Sequence, residues 1–182
     1  AAGATVLALG DSLTHGTGAA PEASYPSVLA GLTGWQVINA GVPGDTAEQA
    51  LQRLPGLLAA HAPALVLLCI GGNDLLRRLD ESTTRGHIQR MVAMVQAAGA
   101  QVLLIAVPRP TLAARFTSQL NDHPMYGELA EALRVPLHRQ GWSEVLADER
   151  LRADAIHANA EGYAAFARGL LATLRATGLW AG

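Results

Sequence analysis

The chain has 182 residues, half of them hydrophobic, with 13 basic residues against 15 acidic ones and a formal charge of −2. That length fits one domain, 1–182, able to bury roughly 70 % of the surface its unfolded form exposes. The near-neutral balance leaves no footprint for nucleic acid, the single cysteine, Cys69, rules out an intramolecular disulfide, and no apolar segment reaches the roughly 18 residues of a membrane span.

Residues 4–9 are an apolar run leading straight into Gly10-Asp11-Ser12, the pattern of a buried strand whose C-terminal tip presents a hydroxyl. A Gly-rich loop follows over 13–18, and Ser24 opens a short helix through Leu32 with Tyr25, Val28, Leu29 and Leu32 on one face. Residues 35–38 read as the second strand, ending in the loop 39–46, whose glycines let backbone amides turn towards a ligand. Thr46 or Asp45 caps a helix to about residue 60, which Pro55 and Gly56 are expected to kink or interrupt. Residues 64–70 are apolar without alternation, as in a central parallel strand covered on both faces, and they hold Cys69 as a small buried hydrophobe. Gly71-Gly72-Asn73-Asp74 stops that strand.

A helix over about 83–98 carries Ile88, Met91, Val92 and Val95 on one side, and 101–107 is the fourth strand. The proline-interrupted stretch 108–124 has the length of a functional loop. A helix over 125–133, a short fifth strand at 135–137, a helical piece near 143–146 and a final helix from Ala160, capped by Asn159, complete the order. Strands alternating with helices at this spacing imply right-handed crossovers and a parallel sheet with helices on both faces. The expected fold is a three-layer α/β/α sandwich with a five-stranded parallel sheet in the flavodoxin-like order 2-1-3-4-5.

On that architecture Ser12 follows strand one, Gly44 lies after strand two, Asn73 follows strand three, and Asp154 and His157 lie beyond strand five. All fall at the C-terminal edge, where an open α/β sheet builds its site. Each cluster has a plainer reading by itself: Ser12 as a helix cap, Gly71 to Asp74 as a tight turn, Asp154-x-x-His157 as a solvated pair or two metal ligands. Together they fit one chemistry. His157 can take the Ser12 proton, Asp154 can orient the ring, and the amides of Ser12, Gly44 and Asn73 can face a developing oxyanion. No further His or Cys stands at ligand spacing to complete a metal set. His15, His61, His87, His123 and His138 read as surface or locally bonded residues.

These blocks resemble the SGNH hydrolases, the GDSL esterase/lipase family. Gly10-Asp11-Ser12-Leu13, the loop around Gly44, Gly71-Gly72-Asn73-Asp74 and Asp154-x-x-His157 are similar to its four blocks, at spacings like those of the small bacterial thioesterase I/lysophospholipase L1/arylesterase members. The resemblance implies Ser12 as nucleophile, His157 as base, Asp154 as orienter and Ser12, Gly44 and Asn73 as oxyanion donors, with no metal or cofactor. It also implies a periplasmic or secreted protein, and a start at Ala-Ala-Gly-Ala suits a mature chain left after removal of a leader. Ala155 and Ala158 replace the Gly and Pro that close relatives carry beside the histidine.

The expected activity is hydrolysis of carboxylic esters, acyl thioesters or lysophospholipids, the partner being that small substrate and the enzyme a monomer. Leu75, Leu76, Pro110, Leu112 and Phe116 are the expected acyl-binding residues, on the two loops beside Ser12. Two alternatives stay open: a carbohydrate O-acetylesterase with the same four blocks, and a flavodoxin-like binding module without catalysis.

Overall fold

A computed structural model of the chain describes residues 3–110 and 120–182. Five parallel strands, β1 (Thr5–Gly10), β2 (Gln36–Gly41), β3 (Leu65–Cys69), β4 (Gln101–Ile105) and β5 (Leu137–His138), lie in the order 2-1-3-4-5. In register, Leu7 lies opposite Ile38 on one side and Val66 on the other, and Ile105 pairs with His138 at the far edge. Burial follows that order: every residue of β3 is buried, whereas the edge strand β2 buries only Ala40.

The helices are α1 (Ser12–His15), α2 (Tyr25–Thr33), α3 (Ala47–His61), α4 (Gly72–Leu76), α5 (Glu81–Ala97), α6 (Pro124–Leu133), α7 (Gly141–Ala147) and α8 (Ala160–Ala176), given for the described residues. Helices α3, α5 and α6 pack along one face of the sheet, and α2, α7 and α8 pack together on the other. The second layer is aromatic: Trp142 stacks on Phe166 with ring centroids 3.8 Å apart, and Tyr25 meets Phe166 edge-on at 5.0 Å. Such pairs add about 0.5–1.5 kcal/mol each beyond the area they bury.

The expected architecture is the one observed, with four local differences. Strand β2 runs on to Gly41, so Asn39 belongs to the strand and its side-chain amide reaches back to the Thr14 carbonyl at 3.0 Å. Helix α3 passes through Pro55 and Gly56 without a break, because a Thr46–Gln49 capping box fixes its start and the buried Leu51 and Leu54 anchor it to the core. The tips after β1 and β3, read as turns, wind into the short helices α1 and α4.

The fourth difference is His138, expected at the surface or in a local bond, which is buried under α8 with Nδ1 against Thr173 Oγ1 at 2.7 Å and Nε2 without a partner among the described residues. Burial pushes its ring down to about 4, against a smaller pull upward from Asp122. Between the unfolded value of about 6.5 and that folded value, the unfolded chain binds a proton the native one refuses, so stability falls as pH falls through this window. His138→Gln should abolish that component: in urea unfolding, the loss of stability from pH 7 to pH 4.5 should be about 2 kcal/mol smaller in the variant than in the wild type. Equal losses in the two proteins would show that His138 does not titrate this way.

Candidate active site

Strand β1 ends in a buried acid. Asp11 caps α1, its Oδ1 accepting from the Leu13 amide at 3.1 Å, so the capping task falls to Asp11 and the Ser12 hydroxyl is left free. Burial pushes the Asp11 carboxyl up to about 6, and the Leu13 amide and the neighbouring His157 pull it partly back. The Ser12 hydroxyl instead meets His157, with Oγ and Nε2 2.9 Å apart.

His157 reaches Ser12 from the loop between the last 3-10 turn (Glu149–Leu151) and α8. Its Nδ1 lies 2.8 Å from Asp154 Oδ2, while Asp154 Oδ1 accepts the amides of Ile156 and His157, each at 2.8 Å. Burial pushes the Asp154 carboxyl up, but the bond from the His157 ring and those two amides outweigh it and hold the group below the usual carboxylate range. An ionised carboxylate only accepts, so the ring proton sits on Nδ1 and the Nε2 lone pair faces Ser12, the tautomer a general base needs. Without the Gly and Pro of relatives, the loop is braced by Ala153 N–H on His157 O and Asn159 N–H on Leu151 O, both at 2.9 Å, and by the buried Ala158.

Two backbone donors and one side chain face the same edge. Val42-Pro43-Gly44-Asp45 forms a turn in which the Asp45 amide bonds Val42 O at 3.1 Å and Gly44 takes φ +84°, the left-handed conformation that a Pro-Gly turn of type II requires. The amides of Ser12 and Gly44 make no hydrogen bond to the described residues. Asn73, in α4, donates one Nδ2 hydrogen to Asp45 O at 2.9 Å; the other points at Asp11 Oδ2 across a marginal 3.5 Å and is the one an oxyanion can claim. The structure thus brings Ser12, Asn73 and His157 to one cleft, with Asp154 bonded behind His157 and Gly44 in the turn whose Asp45 carbonyl holds Asn73.

Several residues that sequence reasoning passed over hold them there. Asp74 is buried and bonds the Ala47 amide at the start of α3 and Thr84 Oγ1 in α5, each at 2.9 Å, which fixes α4 between the two helices. Arg77 donates to Gly44 O at 2.9 Å. Gly18, at φ +102°, lets the loop after α1 nest against the histidine loop: a methyl group there would sit 2.6 Å from Ala158 O and 2.8 Å from Ala153 Cβ. Gly18 carried a signal in the sequence only as one of the glycines of that loop and Asp74 only as the end of the Gly71-Gly72-Asn73-Asp74 block, and neither signal pointed to these contacts. Among the described residues no three of His, Cys, Asp and Glu converge as metal ligands.

A cleft of about 840 Å³ opens beside Ser12 and His157. Leu75, Leu76 and Pro110 line it, joined by Val107, Leu120 and Ile156, and Arg78, Arg109 and Arg152 stand among its polar walls. Leu76 and Ile156 are close to half exposed, so apolar surface is on offer to a ligand. Leu112 and Phe116, also expected at this site, lie outside the described residues.

The chain matches the family model of the GDSL-like lipase/acylhydrolases over residues 8–165, which takes in all four polar clusters. The chain belongs to that family. It is similar to thioesterase 1/protease 1/lysophospholipase L1 of Escherichia coli K12, with 37 % identity over 166 residues, 87 % of this chain and 77 % of that protein. With an arylesterase of Vibrio mimicus it shares 38 % identity over 139 residues, 72 % of this chain and 68 % of the relative. The crystal structure of TesA superposes with a TM-score of 0.84 at 27 % identity, covering 94 % of this chain and 98 % of that one. As a GDSL-family member the protein is a carboxylic ester hydrolase, and the expectation of a non-catalytic binding module falls away.

In this GDSL-family site the loop that carries His157 packs on Gly18, and in an enzyme a displacement of about 1 Å between reacting groups can cost ~10²-fold in rate. Gly18→Ala should therefore lower kcat for p-nitrophenyl butyrate by roughly 10- to 100-fold while the far-UV circular dichroism stays that of the wild type. A folded variant with undiminished kcat would mean that the two loops are not held together at this contact.

Proposed function

We propose that the protein hydrolyses acyl esters through a covalent acyl-enzyme on Ser12, and that it accepts oxygen esters, acyl thioesters and lysophospholipids. The observation that carries this reading is the 2.9 Å approach of Ser12 Oγ to the His157 Nε2 lone pair beside an apolar cleft. Ser12 Oγ attacks the acyl carbonyl carbon as His157 takes the hydroxyl proton, and Asp154 offsets the charge of the imidazolium. The carbonyl oxygen becomes an oxyanion facing the amides of Ser12 and Gly44 and the second Asn73 hydrogen. Collapse expels the alcohol or thiol, which leaves with the proton from His157. Water then attacks the acyl-Ser12 ester, His157 again accepting and returning one proton, and the carboxylic acid departs with Ser12 restored.

The names of the relatives support both ester and thioester substrates, the resemblance supports a place in the periplasm or the cell exterior, and the composition suits a monomer. A fluorophosphonate probe tests the nucleophile: it should modify the wild type once, at Ser12, and leave a folded Ser12→Ala variant unlabelled and with less than about a thousandth of the wild-type kcat. Labelling elsewhere, or a Ser12→Ala variant with a tenth of the wild-type rate, would remove Ser12 from this role.

The cleft walls supply the chain-length preference. Each methylene buried against Leu75, Leu76 and Ile156 contributes up to about 0.8 kcal/mol, so kcat/KM should climb several-fold from acetyl through butyryl to octanoyl p-nitrophenyl esters. Leu76→Ser should flatten that climb. A profile already flat or falling in the wild type would reject the apolar subsite and favour the O-acetylesterase alternative.

A further inference from the structure

Arg53 lies in the second turn of α3, does not line the cleft, and turns its guanidinium under the site. Its Nε and Nη2 bind Asp45 Oδ2 at 2.9 and 2.8 Å, and Nη2 also reaches two carbonyl oxygens at the C-terminal ends of neighbouring strands, Gly10 O at 3.3 Å and Ala40 O at 3.1 Å. Gly10 is two residues before Ser12. Asp45 follows Gly44, is itself buried, and its own carbonyl holds Asn73 Nδ2. One planar cation thus touches the nucleophile strand, the neighbouring strand and the residue through which the Gly44 turn and the Asn73 amide are connected.

From this we propose that Arg53 is a positioning residue for the oxyanion hole, an inference that rests on the roles given above to Ser12, Gly44 and Asn73. Two physical effects converge on it. The guanidinium bonds three oxygens at once, Nε and Nη2 converging on Asp45 Oδ2 while Nη2 also reaches the two strand ends, so Asp45 is held against β1 and β2, and with it the Gly44 amide and the fixed hydrogen of Asn73. The strand-end carbonyls and the Asp45 carboxylate also present negative charge to the edge where an oxyanion forms, and Arg53 is the cation that meets all three. Since the guanidinium is remote from the cleft, its loss acts on the transition state and leaves ester binding alone.

The test is a double-mutant cycle on p-nitrophenyl butyrate hydrolysis with wild type, Arg53→Met, Asn73→Ala and the double variant, with Arg53→Lys alongside. Arg53→Met should lower kcat by roughly 10- to 100-fold with KM changed less than about threefold, the mark of an interaction used in the transition state. Asn73→Ala should cost about 10²–10³-fold, and adding Arg53→Met to it should cost clearly less than Arg53→Met costs in the wild type, because the first substitution has already removed one of the two donors that Arg53 orients. Arg53→Lys should recover part of the loss, its point charge replacing the Asp45 pair but not the fork. Full additivity in the cycle, or an Arg53→Met variant with wild-type kcat, would overturn the inference. If Arg53→Met does not give a native circular dichroism spectrum, Arg53→Lys decides: a kcat lowered about 3- to 10-fold at unchanged KM supports the role, and a wild-type kcat rejects it. Fluorophosphonate labelling separates the two levels. A wild type unlabelled at Ser12 refutes the catalytic reading itself, whereas a labelled wild type beside an undiminished Arg53→Met refutes only the part given to Arg53.

Discussion

The hydrogen bond between Ser12 Oγ and His157 Nε2 joins residues 145 positions apart, and every other feature of the site serves to make that meeting possible. Neither loop could hold such a contact alone. The serine is carried on the tip of β1, a strand buried between β2 and β3, and the histidine on a loop whose following helix, α8, is capped by Asn159 and packed on α2 and α7. Tyr163, from the first turn of α8, donates to Thr17 O at 2.5 Å and so ties the base side of the site to the loop that follows the serine. The contact is thus set by the rigid layers, and the loops only span what the layers leave open.

The sheet order has a second consequence. In the order 2-1-3-4-5 the chain leaves β1 for β2 on one side and then crosses from β2 past β1 to β3 on the other, so the loops after β2 and β3 flank the tip of β1. Gly44 comes from one and Asn73 from the other. Three carboxylates, Asp11, Asp45 and Asp74, are buried around the same point, which is an electrostatically awkward place to form an oxyanion. Each is answered differently: Asp74 by a helix amide and Thr84, Asp45 by Arg53, and Asp11 by the Leu13 amide and a carboxyl pushed up to about 6. Above that value Asp11 is charged and stands close enough to His157 for the two groups to interact.

What could be read from the sequence followed periodicity and position. The apolar runs of β1 and β3 and the capping residues Ser24, Thr46 and Asn159 pointed to the parallel sheet and its helices, and the recurrence of polar motifs after successive strands pointed to its C-terminal edge. The parts that escaped are those decided by contacts between distant segments. Arg53 stands in a helix whose leucines announced only its apolar face, Gly18 matters because of Ala153 and Ala158, and His138 is buried because α8 covers a two-residue strand too short to show a period. Pro55 misled for the same reason: its local penalty is outweighed by the packing of Leu51 and Leu54.

Asp11 and His138 also set the molecule's response to acid, in opposite senses. Asp11 is an acid whose folded value, about 6, lies above its ordinary one of 3.8, so its contribution to stability is present below the unfolded value and lost as pH rises through about 6. His138 is a base held down to about 4, so its contribution is present above about 6.5 and lost as pH falls. Between about pH 4 and 6 folding lets Asp11 keep a proton while it strips one from His138, so the two displacements oppose each other. The chain thus carries a buried acid beside Ser12 and a buried base beneath its last helix whose responses to acid run against one another.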